Sequence, residues 1–255
     1  MEYKEIVLTK DDGYAVVKLN NPAELNALTQ VMRLELADCF SELENDDSVK
    51  AVILTGGDYV FCAGADIKEL AVLPDGEIDD YFRSITSYLQ KIYLFKKPVI
   101  AAVGGIALGG GFNLAVVCDL IVASESAIFG HPEMKFGLSP FFDPLQRIVG
   151  VAKAKEMAML GEPIGAIEAM RIGIVNKIAP PSKFLDEAKK MASELSKRSS
   201  KTLEAIKRIS DIVPRLDKRA AMEYEYEVSA LLFSRSERKE YMRKFMEDLA
   251  KRKNK

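Results

Sequence analysis

With 255 residues, 48% of them hydrophobic, the chain has enough apolar sequence for a large core in one or two domains. A formal net charge of −2, from 36 Lys and Arg against 38 Asp and Glu, argues against a generic nucleic-acid binder, which needs a broad basic face. Three widely spaced cysteines, Cys39, Cys62 and Cys118, form no CxxC pair, which argues against a disulfide framework or zinc knuckle and fits a reducing compartment.

The N-terminal MEYKEIVLTKDDG has no apolar signal core and is not rich in Arg and Ser, so a cytoplasmic location is expected. KEIVLTK and YAVVKLN alternate around DDG, which reads as a β-hairpin. After NNPAELNAL, Thr29 is placed to cap a helix carrying Val31, Met32, Leu34, Leu36, Phe40 and Leu43 at helical spacing. VKAVILTGG reads as a short apolar strand ended by glycines. YVFCAGADIKEL reads as a strand, a bend and a helix start, with Asp66 as the N-cap. A helix near residues 77–96 and the strand PVIAAV follow, then the glycine bend GIALGGGFN. After the bend come a buried helix FNLAVVC, the strand DLIVAS and a short strand around AIFG.

The 21 residues from Pro98 to Cys118 carry no charge, which is long enough to span a bilayer. Five glycines, an Asn and a Pro lie inside the run, so a buried strand, tight turn and buried helix explain it better, and no membrane insertion is expected. Alternating strands and helices make the fold class α/β, with right-handed crossovers. Strand, bend and helix recur at 52–70 and 99–118. From about residue 151 the pattern turns helical, punctuated by Pro163, Pro180, Pro181 and Pro214. Two parts are expected: a core over 1–195 that holds the ligand site, and a helical region over 196–255. The apolar Leu231, Leu232, Phe233 and Phe245 of the second part need cover, from an oligomer partner or from a helix pair folded on its own core.

A helix starting near Gly110 or Gly111 leaves its first N–H groups without intrahelical partners, at the positive end of its dipole. Glycine removes the Cβ atoms that would keep a ligand oxygen away. The pattern is neither G-x-G-x-x-G nor a P-loop, and close packing of helix on strand is the plainer reading of one bend alone. The second bend, at Ala65, changes that balance. One N–H from each bend, converging on one carbonyl oxygen, makes an oxyanion hole. A thioester fits such a hole because its α-proton becomes acidic once the enolate is held. No His, Cys, Asp and Glu cluster has metal-ligand spacing, and no G-x-S-x-G elbow occurs, so no metal is expected.

The stretches LNNPAELNALT, VKAVILTGGDYVFCAGADIKEL, KPVIAAVGGIALGGGFNLAVVCDLIVASESAIFGHPE, GEPIGAIEAMRIGIVNKI and SRSERKEYMRKFMED resemble the enoyl-CoA hydratase/isomerase (crotonase) family over essentially the whole chain. The pairing of AGADIKEL with GxALGGGxxLAxxCD is the most specific part of the likeness. The resemblance implies a crotonase-like spiral of stacked ββα units with a helical C-terminal region that builds a homo-oligomer, a trimer or dimer of trimers. It implies an acyl-CoA thioester as ligand, with coenzyme A carried on the substrate and no separate cofactor. By position, Ala65 and Gly110 resemble the two N–H donors. The strip that includes Ala63, Asp66 and Ile67 resembles the lining of the coenzyme A site.

Hydratases of this family hold a water between two glutamates. Asn113 stands at the first position and Glu133 at the second. An amide cannot take a proton from water as a carboxylate can, although Asn113 can orient a water or substrate. Phe141 and Phe142 fill a loop that is usually small and glycine-rich in the family, which implies a drier acyl pocket. The pattern is similar to that of the single-glutamate Δ3,Δ2-enoyl-CoA isomerases. Glu133 would shuttle a proton from C2 to C4, provided that Phe136, Phe141 or Phe142 desolvates it. Isomerisation is therefore the expected reaction. The alternatives are an enoyl-CoA or dienoyl-CoA hydratase using Glu133 and water, and a non-catalytic CoA- or RNA-binding relative. His131 reads as a packing or hydrogen-bonding residue, and Asp143 as a second acid if its loop turns inward.

Overall fold

The structure is a computed structural model that describes residues 3–235 and 237–253. The N-terminal hairpin pairs β1 (Ile6–Asp11) with β2 (Tyr14–Leu19), and Gly13 closes the turn at a φ of 78°. The Thr29 hydroxyl then accepts from the Met32 N–H at 3.1 Å and starts α1 (Gln30–Asn45). This helix buries Met32, Leu36, Cys39, Phe40 and Leu43. Val31 and Leu34, which the periodicity counts into the stripe, are 39% and 60% exposed. They flank the buried face, and Arg33 is buried in their stead because Glu69 meets its guanidinium at 2.7 and 3.0 Å.

β3 (Ala51–Thr55), β5 (Val99–Val103), β7 (Leu120–Ser124) and β10 (Lys177–Ala179) continue parallel from β2. The resulting six-stranded sheet has the order β1-β2-β3-β5-β7-β10. Every residue of β3 and β5 is buried, which explains why both strands read as unbroken apolar runs. Their side chains alternate between two cores. Val52 and Leu54 join the main core with Met32, Leu36, Phe40 and Phe112, whereas Ala51 and Ile53 face Phe184, Ala188 and Ala192 of α7 (Phe184–Ser196).

A second sheet stacks the short strands β4 (Val60–Cys62), β6 (Ile106–Leu108), β8 (Ile128–Gly130) and β9 (Ile164–Gly165). Each turn of the chain thus lays one strand in each sheet before its helix. β3 and β4 lead to α2 (Ile67–Ala71) and α3 (Ile78–Tyr93), β5 and β6 to α4 (Gly110–Val116), and β7 and β8 to α5 (Phe142–Leu160). This is the ββα spiral. β6 lies inside the stretch read from the sequence as bend alone. The uncharged run 98–118 is β5, β6 and α4, and among the described residues no helix is long and apolar enough to cross a membrane. α6 (Ala166–Arg171) precedes β10.

The chain forms two compact units, one ending at Lys197 and one beginning at Arg198. The second contains α8 (Ser200–Ile212), α9 (Lys218–Phe233), capped by the Asp217 carboxylate, and α10 (Glu237–Lys253). Leu231, Phe233 and Phe245 are more than half exposed in the single chain.

Candidate active site

Two bends at equivalent places in successive turns of the spiral meet at one point. After β4 the chain passes through Ala63, Gly64 and Ala65 into α2, and after β6 it passes through Gly109 into α4. Gly64 has a φ of 102° and Gly109 a φ of 53°, conformations that side chains rarely adopt. A methyl on Gly64 would lie 3.1 Å from the Gly110 nitrogen, and one on Gly110 would lie 3.6 Å from the Ala65 nitrogen. The backbone nitrogens of Ala65 and Gly110 are therefore brought close together. Leu28 links the bends: its N–H donates to the Gly64 carbonyl at 2.8 Å, and its side chain lies against Gly110. α4 has no side-chain cap, so its first-turn N–H groups have neither an intrahelical partner nor a capping one. Beneath the bends, burial pushes the Cys62 thiol up to about 12, and its sulfur accepts from the Gly64 N–H at 3.4 Å.

Glu133 joins the same point from the third turn of the spiral, in a short 3₁₀ helix (Pro132–Phe136) that follows β8. Its Oε2 lies 3.2 Å from where a Gly109 side chain would begin, and its Oε1 is 3.1 Å from His131 Nδ1. The His131 side chain is fully buried and that of Glu133 is 14% exposed. The His131 ring packs on Phe112 of α4, with centroids 4.8 Å apart. Asn113 follows Phe112, is 3% exposed, and donates its backbone N–H to the Gly109 carbonyl at 3.0 Å. The Asn113 backbone and the Glu133 carboxylate therefore both meet Gly109.

Glu133 Oε2, Asn113 Oδ1 and His131 Nε2 are all buried without a hydrogen-bond partner. Buried polar atoms nearly always have one. Three such atoms lie on α4 and on the segment after β8, where Glu133 meets Gly109.

The other sequence-derived residues are placed as follows. Ala63 is half-buried and its N–H donates to the Leu25 carbonyl; the Asp66 carboxylate caps α2 by accepting from the Lys68 N–H at 2.9 Å; and Ile67 is exposed. Phe136 and Phe141 are 67% and 37% exposed, and Phe142 packs on the main core. The Glu133 carboxylate itself meets Gly109 and His131. The Asp143 carboxylate accepts from Arg147 Nε at 2.8 Å and from Gln146, and it is about half exposed. It forms a surface ion pair, not the inward-turned second acid considered from the sequence. Among the described residues no group of three or more His, Cys, Asp or Glu is placed to hold a metal ion. The partnership of His131 with Glu133 was missed in the sequence, although their spacing across Pro132 was a signal for it.

A ββα spiral that brings two backbone bends and one buried carboxylate together defines an enzyme of the crotonase-fold class. The enoyl-CoA hydratase/isomerase family model matches residues 9–254. The chain is 37% identical over 251 residues to the short-chain-enoyl-CoA hydratase of Clostridium acetobutylicum, covering 97% of this chain and 96% of that one. The crotonyl-CoA hydratase of Syntrophomonas wolfei is likewise 37% identical over 251 residues, with the same 97% and 96% coverage. The crystal structure of an enoyl-CoA hydratase from Bacillus anthracis superposes with a TM-score of 0.92 at 28% identity, covering 96% of this chain and 97% of that one. The protein belongs to the enoyl-CoA hydratase/isomerase (crotonase) family and is an enzyme of that family.

Proposed function

We propose that the protein hydrates 2-enoyl-CoA thioesters with Glu133 as its one acid–base group. The observation that carries this reading is a pair of buried, partnerless acceptors, Glu133 Oε2 against Gly109 and Asn113 Oδ1 on the helix that begins there. A water has two O–H donors, and each acceptor suits one of them. The thioester oxygen accepts from the Ala65 and Gly110 N–H groups, which draw electron density from C3 and hold the enolate. As the water oxygen bonds to C3, its proton passes to Glu133, and Glu133 returns a proton to C2 from the same face. Asn113 holds the water without taking its proton. The names of the relatives at 37% identity support hydration over isomerisation.

The second reading, Δ3 to Δ2 isomerisation, is favoured by one feature. Asn113 is an amide and the Asp143 carboxylate is tied to Arg147, so no second carboxylate joins Glu133. In that case Glu133 would carry a proton from C2 to C4 with no water added. The same overall reading includes a homo-oligomer, a trimer or dimer of trimers, supported by the exposed Leu231, Phe233 and Phe245 and checked by a solution mass measurement.

The test is incubation of purified protein with a 2-enoyl-CoA and, separately, a 3-enoyl-CoA in oxygen-18 water, followed by chromatography and mass spectrometry. The expected product of the first is a 3-hydroxyacyl-CoA carrying the heavy oxygen. Conversion of the 3-enoyl substrate alone, with no oxygen gained, would overturn hydration in favour of isomerisation. Glu133→Gln should abolish turnover while coenzyme A binding persists. Asn113→Asp should raise hydration relative to isomerisation.

A further inference from the structure

The chain's one histidine is fully buried and in contact with the one carboxylate of the site. The two oxygens of that carboxylate are treated differently. Oε1 meets His131 Nδ1 at 3.1 Å, whereas Oε2 lies against Gly109 without a partner. The imidazole is itself seated on the Phe112 ring, one residue before Asn113, and Pro132 stiffens the short link between His131 and Glu133.

We infer that His131 is a positioning residue that donates its Nδ1–H to Glu133 Oε1 and thereby makes Oε2 the oxygen that exchanges protons with water and substrate. The inference rests on the acid–base reading of Glu133 above. The terminal torsion of a glutamate is broad and roughly two-fold, so an untethered carboxylate presents either oxygen over a wide range of angles. With a single carboxylate, the oxygen that takes the proton must also return it to a neighbouring carbon, and rotation between the two events carries the proton away. A hydrogen bond to one oxygen removes that rotation. It also selects the tautomer. With the proton on Nδ1, Nε2 is a bare acceptor in a buried place, and a buried acceptor without a partner is tolerated better than an orphaned N–H.

The single histidine makes the test direct. Tag-free protein carrying nitrogen-15 histidine gives one imidazole in the spectrum. The expected result is the Nδ1-protonated tautomer, with a signal that shifts in Glu133→Gln; an Nε2-protonated ring would overturn the inference. In kinetics, His131→Asn keeps an N–H near the Nδ1 position, whereas His131→Phe fills the ring space without a donor. His131→Phe should lose about 100-fold in kcat with KM little changed, and His131→Asn should recover most of that loss. Equal impairment of the two variants, or an unimpaired His131→Phe, would show a merely structural residue. If thermal melting shows that His131→Phe does not fold, His131→Gln, whose N–H falls near Nε2, replaces it and should be as slow as His131→Phe is expected to be. Absence of wild-type turnover on either enoyl-CoA would refute the functional reading and with it the kinetic half of this inference. The imidazole spectrum would still decide the pairing.

Discussion

Gly110→Ala separates the fold from the chemistry at the meeting of the two bends. Gly110 begins α4 and lacks the positive φ of its neighbour Gly109, so alanine fits its backbone. The new methyl would come within 2.9 Å of Leu28 Cδ1, the far end of a flexible side chain that can move aside. Replacing glycine by alanine at a compatible position stabilises by about 0.4–1 kcal/mol through the unfolded chain, which offsets the shift of Leu28. The melting temperature should therefore move by no more than about 3 °C. The same methyl would sit 3.6 Å from the Ala65 nitrogen. An oxygen accepting from that N–H belongs at about 2.9 Å, so the methyl intrudes on the space the thioester oxygen would need in the proposed site. Loss of one such donor typically costs about 10²–10³ in kcat, or about 3–4 kcal/mol in the transition state. Steady-state kinetics beside a thermal melt is the assay. A folded Gly110→Ala enzyme with kcat within about twofold of wild type would refute the assignment of Ala65 and Gly110 as the oxygen's donors.

Three further substitutions probe the frame around the site. Gly109→Ala forces a side chain into a φ of 53° and places its methyl 3.2 Å from Glu133 Oε2. It should cost about 1–3 kcal/mol in urea unfolding and lower kcat as well; undiminished stability would show that the bend is not strained by a side chain. Glu69→Ala leaves the Arg33 guanidinium, whose side chain is 2% exposed, without its carboxylate, and should destabilise by about 3 kcal/mol. A melt that matched wild type would refute this. Replacing both residues by apolar ones should restore most of the loss. Glu187 is held at about 2, below its ordinary 4.5, by hydrogen bonds first from Lys177 on β10 and then from Lys190 on α7. Its folded-state pKa is depressed, so the stabilisation is present above the unfolded value and lost as pH falls toward 2. The stability gap between wild type and Glu187→Gln should therefore narrow in acid, and a gap independent of pH in thermal melts would refute the pairing.

Much of the frame was legible in the sequence because many residues repeat the same message. The hairpin, the Thr29 and Asp66 caps and the doubly buried strands AVILT and VIAAV each follow from a local pattern. β6 was hidden because three residues among glycines carry no period, and its partners β4 and β8 are distant in the chain. The misplacement of Val31 and Leu34 has a similar cause: residues at the flank of a stripe share its spacing, and only the packed neighbour Glu69 explains why Arg33 is inside instead. The ion pair of Asp143 was readable, because Arg147 lies four residues on in the same helix, the spacing at which such pairs meet.

The reaction type is harder to read than the fold for a physical reason. The family match over residues 9–254 rests on a redundant pattern of strands, bends and helices, so no single substitution obscures it. In the proposed hydration the chemistry depends on what two buried acceptors, Glu133 Oε2 and Asn113 Oδ1, do with one reacting molecule. An amide oxygen at position 113 can accept from a water as a carboxylate does, which keeps a place for that water. It cannot remove the water's proton, so in the proposed hydration the whole transfer falls to Glu133. The hydratase names of the relatives and the amide of this chain therefore pull apart at one side chain. Under this proposal, a single carboxylate fixed by a buried imidazole is the arrangement by which a site without a second acid would take a proton and give it back on the same face.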